Sequence, residues 1–256
     1  MRRIIVTAGG TRERIDNVRS ITNLSTGDLG SRIADRLLEK MDKPGDRLYY
    51  LHGRGAVLPK TRKDSLHPVP IEGTLELLSE MEKLLNSGTI DAVIHAMAVS
   101  DYRVAAVSSL DQMAEAIAQS DSRDKGHLEH LLMEARLSET GKISSELPHP
   151  VLILERNPKV ISRIKELSPD TVLVGFKLLS GVSQEELLEV GYQLLQKNHC
   201  DFVLANDTDT AFHGKHTGYL IAADRSILPL EGKDRIAEGI VSAIWPRFLT
   251  RNNFVK

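Results

Sequence analysis

The sequence contains little cysteine and few aromatic residues. Cys200 is the single cysteine, and phenylalanine, tyrosine and tryptophan together make up 4% of the 256 residues. One thiol cannot form an internal disulfide or supply a cysteine-rich zinc site. So small an aromatic content argues against the stacking surfaces on which proteins bind single-stranded nucleic acids. We therefore expect neither a disulfide-stabilised domain nor a protein that binds single-stranded nucleic acid.

Long apolar runs and an excess of charge of one sign are also absent. No stretch approaches the roughly 18 consecutive apolar residues that span a bilayer. The 33 basic residues are balanced by 35 acidic ones, which gives a net charge of -2. Because binding to a phosphate backbone needs a dense excess of basic side chains, we expect no nucleic-acid partner. The apolar run at residues 4–6 is too short for a signal peptide, so we expect a cytoplasmic protein without membrane association.

What the sequence does contain is an alternation of short apolar runs with longer amphipathic stretches. The runs predict strands at residues 4–6, 48–51, 92–99, 151–154, 172–176 and 202–205. Several are apolar at consecutive positions, which is typical of parallel strands covered on both faces. We predict an α/β fold with a doubly wound, mainly parallel, Rossmann-like sheet.

Helix ends and one long polar stretch complete the predicted organisation. Thr74, Asn157 and Ser183 are predicted helix caps. Residues 102–149 interrupt the alternation and predict a flap-like insertion, with a helix near residues 130–136. Residues 219–222 and 227–230 predict a late β-hairpin, and residues 233–248 a closing helix. We predict one α/β domain over residues 1–256, with the insertion at 102–149.

Two glycine-bearing segments are candidates for anion binding. Gly9 and Gly10 follow the first strand, where exposed N–H groups can surround a phosphate. Ser25 and Gly27 precede a helix that we predict from Leu29 onward, and a helix N-terminus favours anions. Arg19 would add a charged contact. Ordinary turns and an ordinary helix cap remain the alternatives.

Polar residues after three predicted strands suggest a shared cleft, because ligands of open α/β sheets bind at the carboxyl ends of the strands. Ala98 and Asp101 stand at the end of one strand, Asn206 and Asp207 follow another, and Phe176 ends a third. A dehydrogenase is the first analogy, but the first turn lacks the G-x-G-x-x-G spacing. The histidine pairs 127/130 and 213/216 have no third ligand in register, so we interpret them as surface histidines.

Taken together, these motifs resemble the phosphopantothenate–cysteine ligase family in its stand-alone bacterial form. The resemblance covers residues 3–207. It is carried, in order, by Gly9-Gly10-Thr11 with Glu13 and Asp16, Arg19 to Asn23 with Ser25, Gly27 and Gly30, Ala98 to Tyr102, Lys142-Ile143, Asn157-Pro158, Gly175-Phe176, and Ala205-Asn206-Asp207. It implies ligation of 4′-phosphopantothenate to cysteine through an acyl-nucleotidylate made from CTP or ATP, in coenzyme A biosynthesis.

The resemblance also implies roles for individual residues. Asn23 would contact the acyl group, Arg19 would be its positive neighbour, and Lys142 would meet the activated phosphate from the flap. The implied nucleotide-binding residues are Gly9, Gly10, Ser25, Gly27, Ala98, Asp101, Asn157, Pro158, Lys159, Val160, Phe176, Lys197, Asn206 and Asp207. Gln193 stands where many relatives carry a second basic residue, and the Lys142 motif lacks their further lysines.

The expected cofactor is Mg²⁺ that enters with the nucleotide and is held largely by phosphate and water. The flavin of fused relatives belongs to another domain, so we expect no flavin. Phosphopantothenate, nucleotide triphosphate and cysteine are the implied partners, and the resemblance implies a homodimer. Two alternatives stay open: a Rossmann-like nucleotide-binding regulatory protein without turnover, and an NAD(P)-dependent reductase.

Overall fold

The computed structural model describes residues 1–122, 124–137, 141–207 and 216–251, without the side chains of 249–251. This part of the chain forms two compact units. Unit 1 comprises Met1–Thr11, Leu24–Val99 and Lys159–Lys256, and unit 2 comprises Arg12–Asn23 and Ser100–Pro158. No helix in the described ranges is long and apolar enough to cross a membrane.

Unit 1 consists of an eight-stranded sheet and its covering helices. The strands are β1 Arg3–Ala8, β4 Arg47–Gly53, β5 Leu66–Ile71, β6 Ala92–His95, β9 Val172–Leu179, β10 Phe202–Asp207, β11 Thr217–Ala222 and β12 Ile227–Glu231. The helices are α1 Asp28–Lys40, α2 Thr74–Asn86, α5 Val160–Leu167, α6 Gln184–Lys197 and α7 Lys233–Arg251.

The order of the strands confirms the predicted doubly wound sheet. They run β12-β11-β10-β9-β6-β1-β4-β5, and all neighbours from β10 to β5 are parallel. The chain winds outward in one direction from β1 to β4 and β5, and in the other from β6 to β9 and β10. The switch between β1 and β6 is where such sheets bind ligands. Strands β11 and β12 form the predicted antiparallel hairpin.

Alternating side chains along each strand build a core on both faces of this sheet. Val6 of β1 and Ile94 of β6 pack in a cluster with residues of α1 and α7. Ile5 and Val93, their neighbours in sequence, pack in a second cluster with residues of α2, α5 and α6. All four side chains are completely buried. This two-sided burial explains why the strands are apolar at consecutive positions.

Unit 2 is built from two small antiparallel sheets and two helices. Strands β2 (Arg12–Arg14) and β3 (Ser20–Thr22) pair with each other, as do β7 (Tyr102–Ser109) and β8 (Pro150–Arg156). Helices α3 (Leu110–Ala118) and α4 (Lys125–Glu134) lie between β7 and β8 in sequence. The predicted insertion at 102–149 therefore falls wholly within unit 2.

Some predicted elements were wrong in detail. The apolar run at residues 151–154 is part of β8, which belongs to the antiparallel pair and not to the main sheet. Strand β6 ends at His95, before the predicted end at residue 99. Gly73 is the N-cap of α2 and Lys159 that of α5, so Thr74 and Asn157 are not caps. Ser183 does cap α6, since its side chain accepts the Glu186 N–H at 3.2 Å.

Candidate functional site

The glycine turn after β1 lies at the switch point of the sheet, and main-chain bonds fix it there. Gly10 forms an isolated parallel bridge with Ala98, which follows β6. The Ala98 N–H donates to the Gly9 carbonyl at 2.8 Å, and the Thr11 N–H donates to the Ala98 carbonyl at 3.2 Å. The structure therefore brings together three residues that the sequence predicted: Gly9, Gly10 and Ala98.

Close backbone approaches explain two of the glycines. Gly9 has a φ of +84°, and a Cβ there would lie 2.7 Å from the Ala56 Cβ. Gly27 has a φ of +72°, and a Cβ there would lie 2.9 Å from the Gly9 nitrogen. The turn after β1 and the segment before α1 thus pack against each other too closely for side chains.

The segment before α1 borders a cavity of about 400 Å³. Gly27 is the N-cap of α1 and has no side chain to cap the helix, while the Thr26 hydroxyl accepts the Asp28 N–H at 3.4 Å. The helix N-terminus therefore presents N–H groups to this region. Of the predicted residues, Ser25, Gly27 and Asn206 line the cavity. Its full lining consists of residues 24–30 with Ala96, Leu178, Asn206, His216, Thr217, Lys233 and Ile236.

Charged groups at this cavity are linked to one another. The Lys233 ammonium lies 2.8 Å from Asp28 Oδ2, and Arg32 Nε lies 3.1 Å from Asp28 Oδ1. Burial raises the pKa of Asp28, but Lys233 and Arg32 outweigh it and hold this pKa below its ordinary value. Burial and the nearby Lys233 lower the pKa of His216. At neutral pH the cavity wall thus carries the Lys233 cation, the Asp28 carboxylate and a neutral His216, and Arg32 contacts Asp28 from outside the lining.

A buried histidine supports the residues that follow β6. His95 ends β6 and is 7% exposed, and burial lowers its pKa to about 4. The Thr7 hydroxyl lies 3.1 Å from His95 Nδ1 and accepts the Met97 N–H at 3.0 Å. The Thr7 oxygen accepts the Met97 N–H, so the Thr7 O–H can donate its proton to Nδ1 of the neutral His95 ring. This network links β1, β6 and the segment that leads to Ala98.

In unit 2, Arg19 lies beside the main chain next to Lys142. Arg19 Nη1 donates to the Ile143 carbonyl at 3.4 Å and lies 3.3 Å from Asp16 Oδ2. The same Oδ2 atom accepts the Ile143 N–H at 3.1 Å. The structure therefore connects two of the predicted catalytic residues through Ile143. Asp16, which the prediction did not include among the site residues, makes the connection.

Lys142 and Asn23 are exposed in unit 2. The Lys142 ammonium makes no ion pair or hydrogen bond within the described part of the chain. Gly141, directly before it, has a φ of +92°. Asn23 comes directly after β3. Both side chains belong to types that can contact a substrate: a mobile cation and an amide that donates hydrogen bonds.

Asn157 serves the turn that contains Asp101. The Asn157 N–H donates to the Asp101 carbonyl at 2.9 Å, and Asn157 Nδ2 donates to the Ser100 carbonyl at 3.1 Å. Arg103 Nη1 lies 3.3 Å from Asn157 Oδ1. Both ends of the amide are therefore engaged inside unit 2, and Asn157 fixes the position of residues 100 and 101.

Other predicted residues are not gathered with these groups. Val160 is 2% exposed and belongs to the second core cluster, whereas Phe176 packs against the first, on the other face of the sheet.

Lys197 lies in the last turn of α6, before the amino end of β10. Asn206 lies near the carboxyl end of that strand, which spans about 20 Å. Pro158 and Lys159 lead into α5, and Asp207 accepts the Val182 N–H at 3.3 Å.

Three contributors were missed from the sequence: Asp16, His216 and Lys233. Asp16 stands in the quoted Glu13-to-Arg19 motif, but nothing local indicates a partner 127 residues away. Lys233 and His216 reach the cavity only through the fold of the late hairpin and α7. His213, the other member of one histidine pair, lies outside the described residues. Among those described, no group of three His, Cys, Asp or Glu side chains is placed to hold a metal.

Comparison with known proteins gives consistent matches along the chain. The family model for the DNA/pantothenate metabolism flavoprotein C-terminal domain matches residues 1–119 and 134–247. A coenzyme A biosynthesis bifunctional protein CoaBC from Thermococcus kodakarensis is 32% identical over 246 residues, which cover 93% of this chain and 49% of that protein. The chain thus spans about half the length of the curated relatives it matches.

Solved structures show the same fold. The DNA/pantothenate metabolism flavoprotein from Streptococcus pneumoniae has a TM-score of 0.81 and 32% identity, and the match covers 96% of this chain and all of that one. A Cab2 mutant in complex with phosphopantothenate-cysteine has a TM-score of 0.64 and 17% identity, with 96% of this chain and 86% of that chain covered. The second likeness concerns the fold alone.

Proposed function

Because this chain belongs to the DNA/pantothenate metabolism flavoprotein C-terminal domain family, we propose that it joins 4′-phosphopantothenate to cysteine. The matched relative from Thermococcus kodakarensis is named as a coenzyme A biosynthesis protein, and a protein of the same fold was solved with phosphopantothenate-cysteine. Both names support a phosphopantothenate–cysteine ligase. The structural observation that carries the proposal is the connection between Arg19 and the Lys142 segment through Ile143.

The proposed reaction has two steps. A carboxylate oxygen of phosphopantothenate attacks the α-phosphorus of CTP or ATP, and pyrophosphate leaves, which produces an acyl-nucleotidylate. The cysteine amine then attacks the acyl carbon and loses a proton, and the nucleoside monophosphate leaves as the amide forms. The first step is needed because a carboxylate at neutral pH is a poor acyl donor. Several negative charges must be neutralised while two anionic reactants are held together.

Unit 2 would supply the groups that act on the reacting atoms. The Lys142 ammonium would neutralise charge on the activated phosphate, and the Asn23 amide would donate a hydrogen bond to the acyl oxygen. The Arg19 side chain is 41% exposed, so the guanidinium can contact an anion while Nη1 holds Ile143. In this proposal Lys142 lies on a flap within residues 102–149 that closes when both substrates are bound.

Unit 1 would bind nucleotide phosphates. The N–H groups at the start of α1, the glycine turn at the switch point and the Lys233 ammonium are suited to anions. Asn206 would add a side-chain amide from the carboxyl end of β10. We propose CTP as the preferred nucleotide, on the strength of the resemblance to bacterial relatives.

Mg²⁺ would enter with the nucleotide and reduce the charge of the triphosphate. We propose that phosphate and water hold this ion for the most part, as is usual for Mg²⁺ that enters with a nucleotide. We further propose that the protein acts as a homodimer in the cytoplasm.

A turnover assay tests this function. Purified protein is incubated with phosphopantothenate, Mg²⁺ and either CTP or ATP, with and without cysteine, and pyrophosphate and the amide product are measured. We expect pyrophosphate release and amide formation, with a higher kcat/KM for CTP. Asn23→Ala should lower turnover by ~100-fold while the protein stays folded.

The outcomes separate the alternatives. Nucleotide binding without pyrophosphate release would favour a regulatory protein and would exclude the ligase. A higher kcat/KM for ATP would leave the ligase in place and reverse the nucleotide preference. Wild-type turnover in a folded Asn23→Ala protein would remove the role of Asn23.

A further inference from the structure

The two carboxylate oxygens of Asp16 serve different parts of unit 2. Oδ1 accepts the N–H groups of Val18 and Arg19, both at 2.7 Å, and so closes a local turn. Oδ2 accepts the Ile143 N–H at 3.1 Å and lies 3.3 Å from Arg19 Nη1. A local turn needs only the first set of bonds. The second set connects Asp16 to a segment 127 residues away.

Asp16 and Arg19 hold two successive peptide units. The Ile143 N–H, bonded to Asp16, belongs to the peptide that joins Lys142 to Ile143. The Ile143 carbonyl, bonded to Arg19, belongs to the next peptide. A carboxylate and a guanidinium thus fix the orientation of the main chain immediately after Lys142, through hydrogen bonds to charged groups, which are the stronger kind.

We propose that Asp16 is a positioning residue that, with Arg19, latches the main chain beside Lys142 and so sets where its ammonium meets the activated phosphate. This inference rests on the proposed function. The Lys142 side chain has no described partner of its own, so its position depends on its main chain. Gly141, with its φ of +92°, marks the point at which the segment changes direction before the latch.

The carboxylate is well suited to this task. Only 2% of the Asp16 side chain is exposed, so water competes little for its oxygens. The Val18 amide, with the Arg19 and Ile143 amides and the Arg19 charge, outweighs the opposing effect of desolvation and lowers the pKa of Asp16. The group therefore stays ionised throughout the neutral range, and the latch keeps its charge.

Asp16→Asn separates the latch from the turn. The amide oxygen of asparagine can occupy the Oδ1 position and keep the bonds to Val18 and Arg19. Its NH₂ group then takes the Oδ2 position, where it faces two further N–H donors and cannot accept from either. Asp224→Asn is the matched control, because Asp224 also closes a turn through Oδ1, at 2.9 Å from the Ser226 nitrogen, in the β11–β12 hairpin.

The experiment measures amide hydrogen exchange at Ile143 together with kcat and KM for the ligation. For Asp16→Asn we expect exchange at Ile143 to become at least ~10-fold faster, since a charge-assisted bond is lost. We expect kcat to fall by ~10-fold or more while KM for the nucleotide changes by less than ~3-fold, because misplacement of a catalytic cation affects the chemical step. Asp224→Asn should match the wild type in all three quantities.

Each other outcome has a definite meaning. Unchanged exchange at Ile143 in Asp16→Asn would overturn the latch. Faster exchange with an unchanged kcat, or a rise in KM alone, would show a structural contact and overturn the positioning role. If the wild-type protein itself shows no turnover, the proposed function fails and the positioning role fails with it. An active wild type with an equally active Asp16→Asn variant refutes the positioning role and leaves the proposed function in place.

Discussion

In unit 1 the Gly10–Ala98 bridge is made by main-chain groups, whereas in unit 2 the main chain of Ile143 is held by the side chains of Asp16 and Arg19. The first arrangement depends on how closely backbones approach, and its Gly10 is buried. The second depends on a pair of opposite charges, one of which is partly exposed. Substitutions in unit 1 should therefore act through volume and stability, and substitutions in unit 2 through charge and turnover.

The largest effect on stability is expected from a methyl group in the glycine turn of unit 1. Gly9 and Gly55 have similar φ angles, +84° and +81°, but a Cβ on Gly55 meets no described atom within 4 Å. Gly55→Ala should cost about 1 kcal/mol for the left-handed backbone alone. Gly9→Ala should cost about 3 kcal/mol, because the clash with Ala56 adds an overpacking penalty. Urea unfolding of both variants gives the difference, and equal losses would refute the close-approach argument.

The next effect is a loss of stability at low pH that originates from His95. Its folded pKa is about 4 and the reference value is 6.5, so between these values the unfolded state binds the proton and the folded state does not. The contribution of neutral His95 to the free energy of unfolding is therefore fully present above pH 6.5 and is lost as the pH falls to 4. This loss amounts to about 3 kcal/mol. His95→Gln should remove this part of the pH dependence. The check is the free energy of unfolding measured at several pH values between 4 and 6.5. If it falls equally with pH in the wild type and in His95→Gln, the prediction is contradicted.

Some parts of the fold and site could be predicted because they depend on local patterns. The buried stretches of β1 and of the first half of β9 are apolar at consecutive positions, and Ser183 has its capping partner three residues away. Strand β5 was missed, since Pro68 and Pro70 interrupt its pattern. The structure explains both prolines, because β5 lies at the edge of the sheet, where a missing N–H is tolerated.

Other parts could not be read from the sequence because they depend on long-range contacts. The run at 151–154 has the composition of a buried strand, and only its pairing with β7 distinguishes it from the main sheet. Asn157 precedes a proline as a cap would, yet its amide bonds to Ser100. Asp16 reaches Ile143, and Lys233 reaches Asp28, across 127 and 205 residues. A local motif contains no information on such partners.

In unit 2, removal of the exposed cation should change turnover and leave stability almost unaltered. Lys142→Ala should lower kcat/KM for ligation by ~100-fold, because charge on the activated phosphate is no longer neutralised. Its free energy of unfolding should change by less than about 0.5 kcal/mol, as is usual for an exposed side chain. Lys125→Ala, on the exposed face of α4, is the matched control and should retain wild-type turnover. A large loss of stability in Lys142→Ala would contradict the contrast between the units.

The smallest effect compares helix caps in the two units. Ser183 caps α6, which buries Leu187 and Leu195, and Asp124 caps α4 by accepting the His127 N–H at 3.0 Å. Helix α4, which is described in full, has no buried side chain, so it can open without exposing core.

Ser183→Ala should therefore lower the free energy of unfolding by about 1 kcal/mol. Asp124→Ala should lower it by less than about 0.3 kcal/mol while amide exchange across α4 becomes faster. Equal losses from the two caps would mean that α4 unfolds together with the sheet, and the charge-based contacts of unit 2 would then matter for stability as well as for turnover.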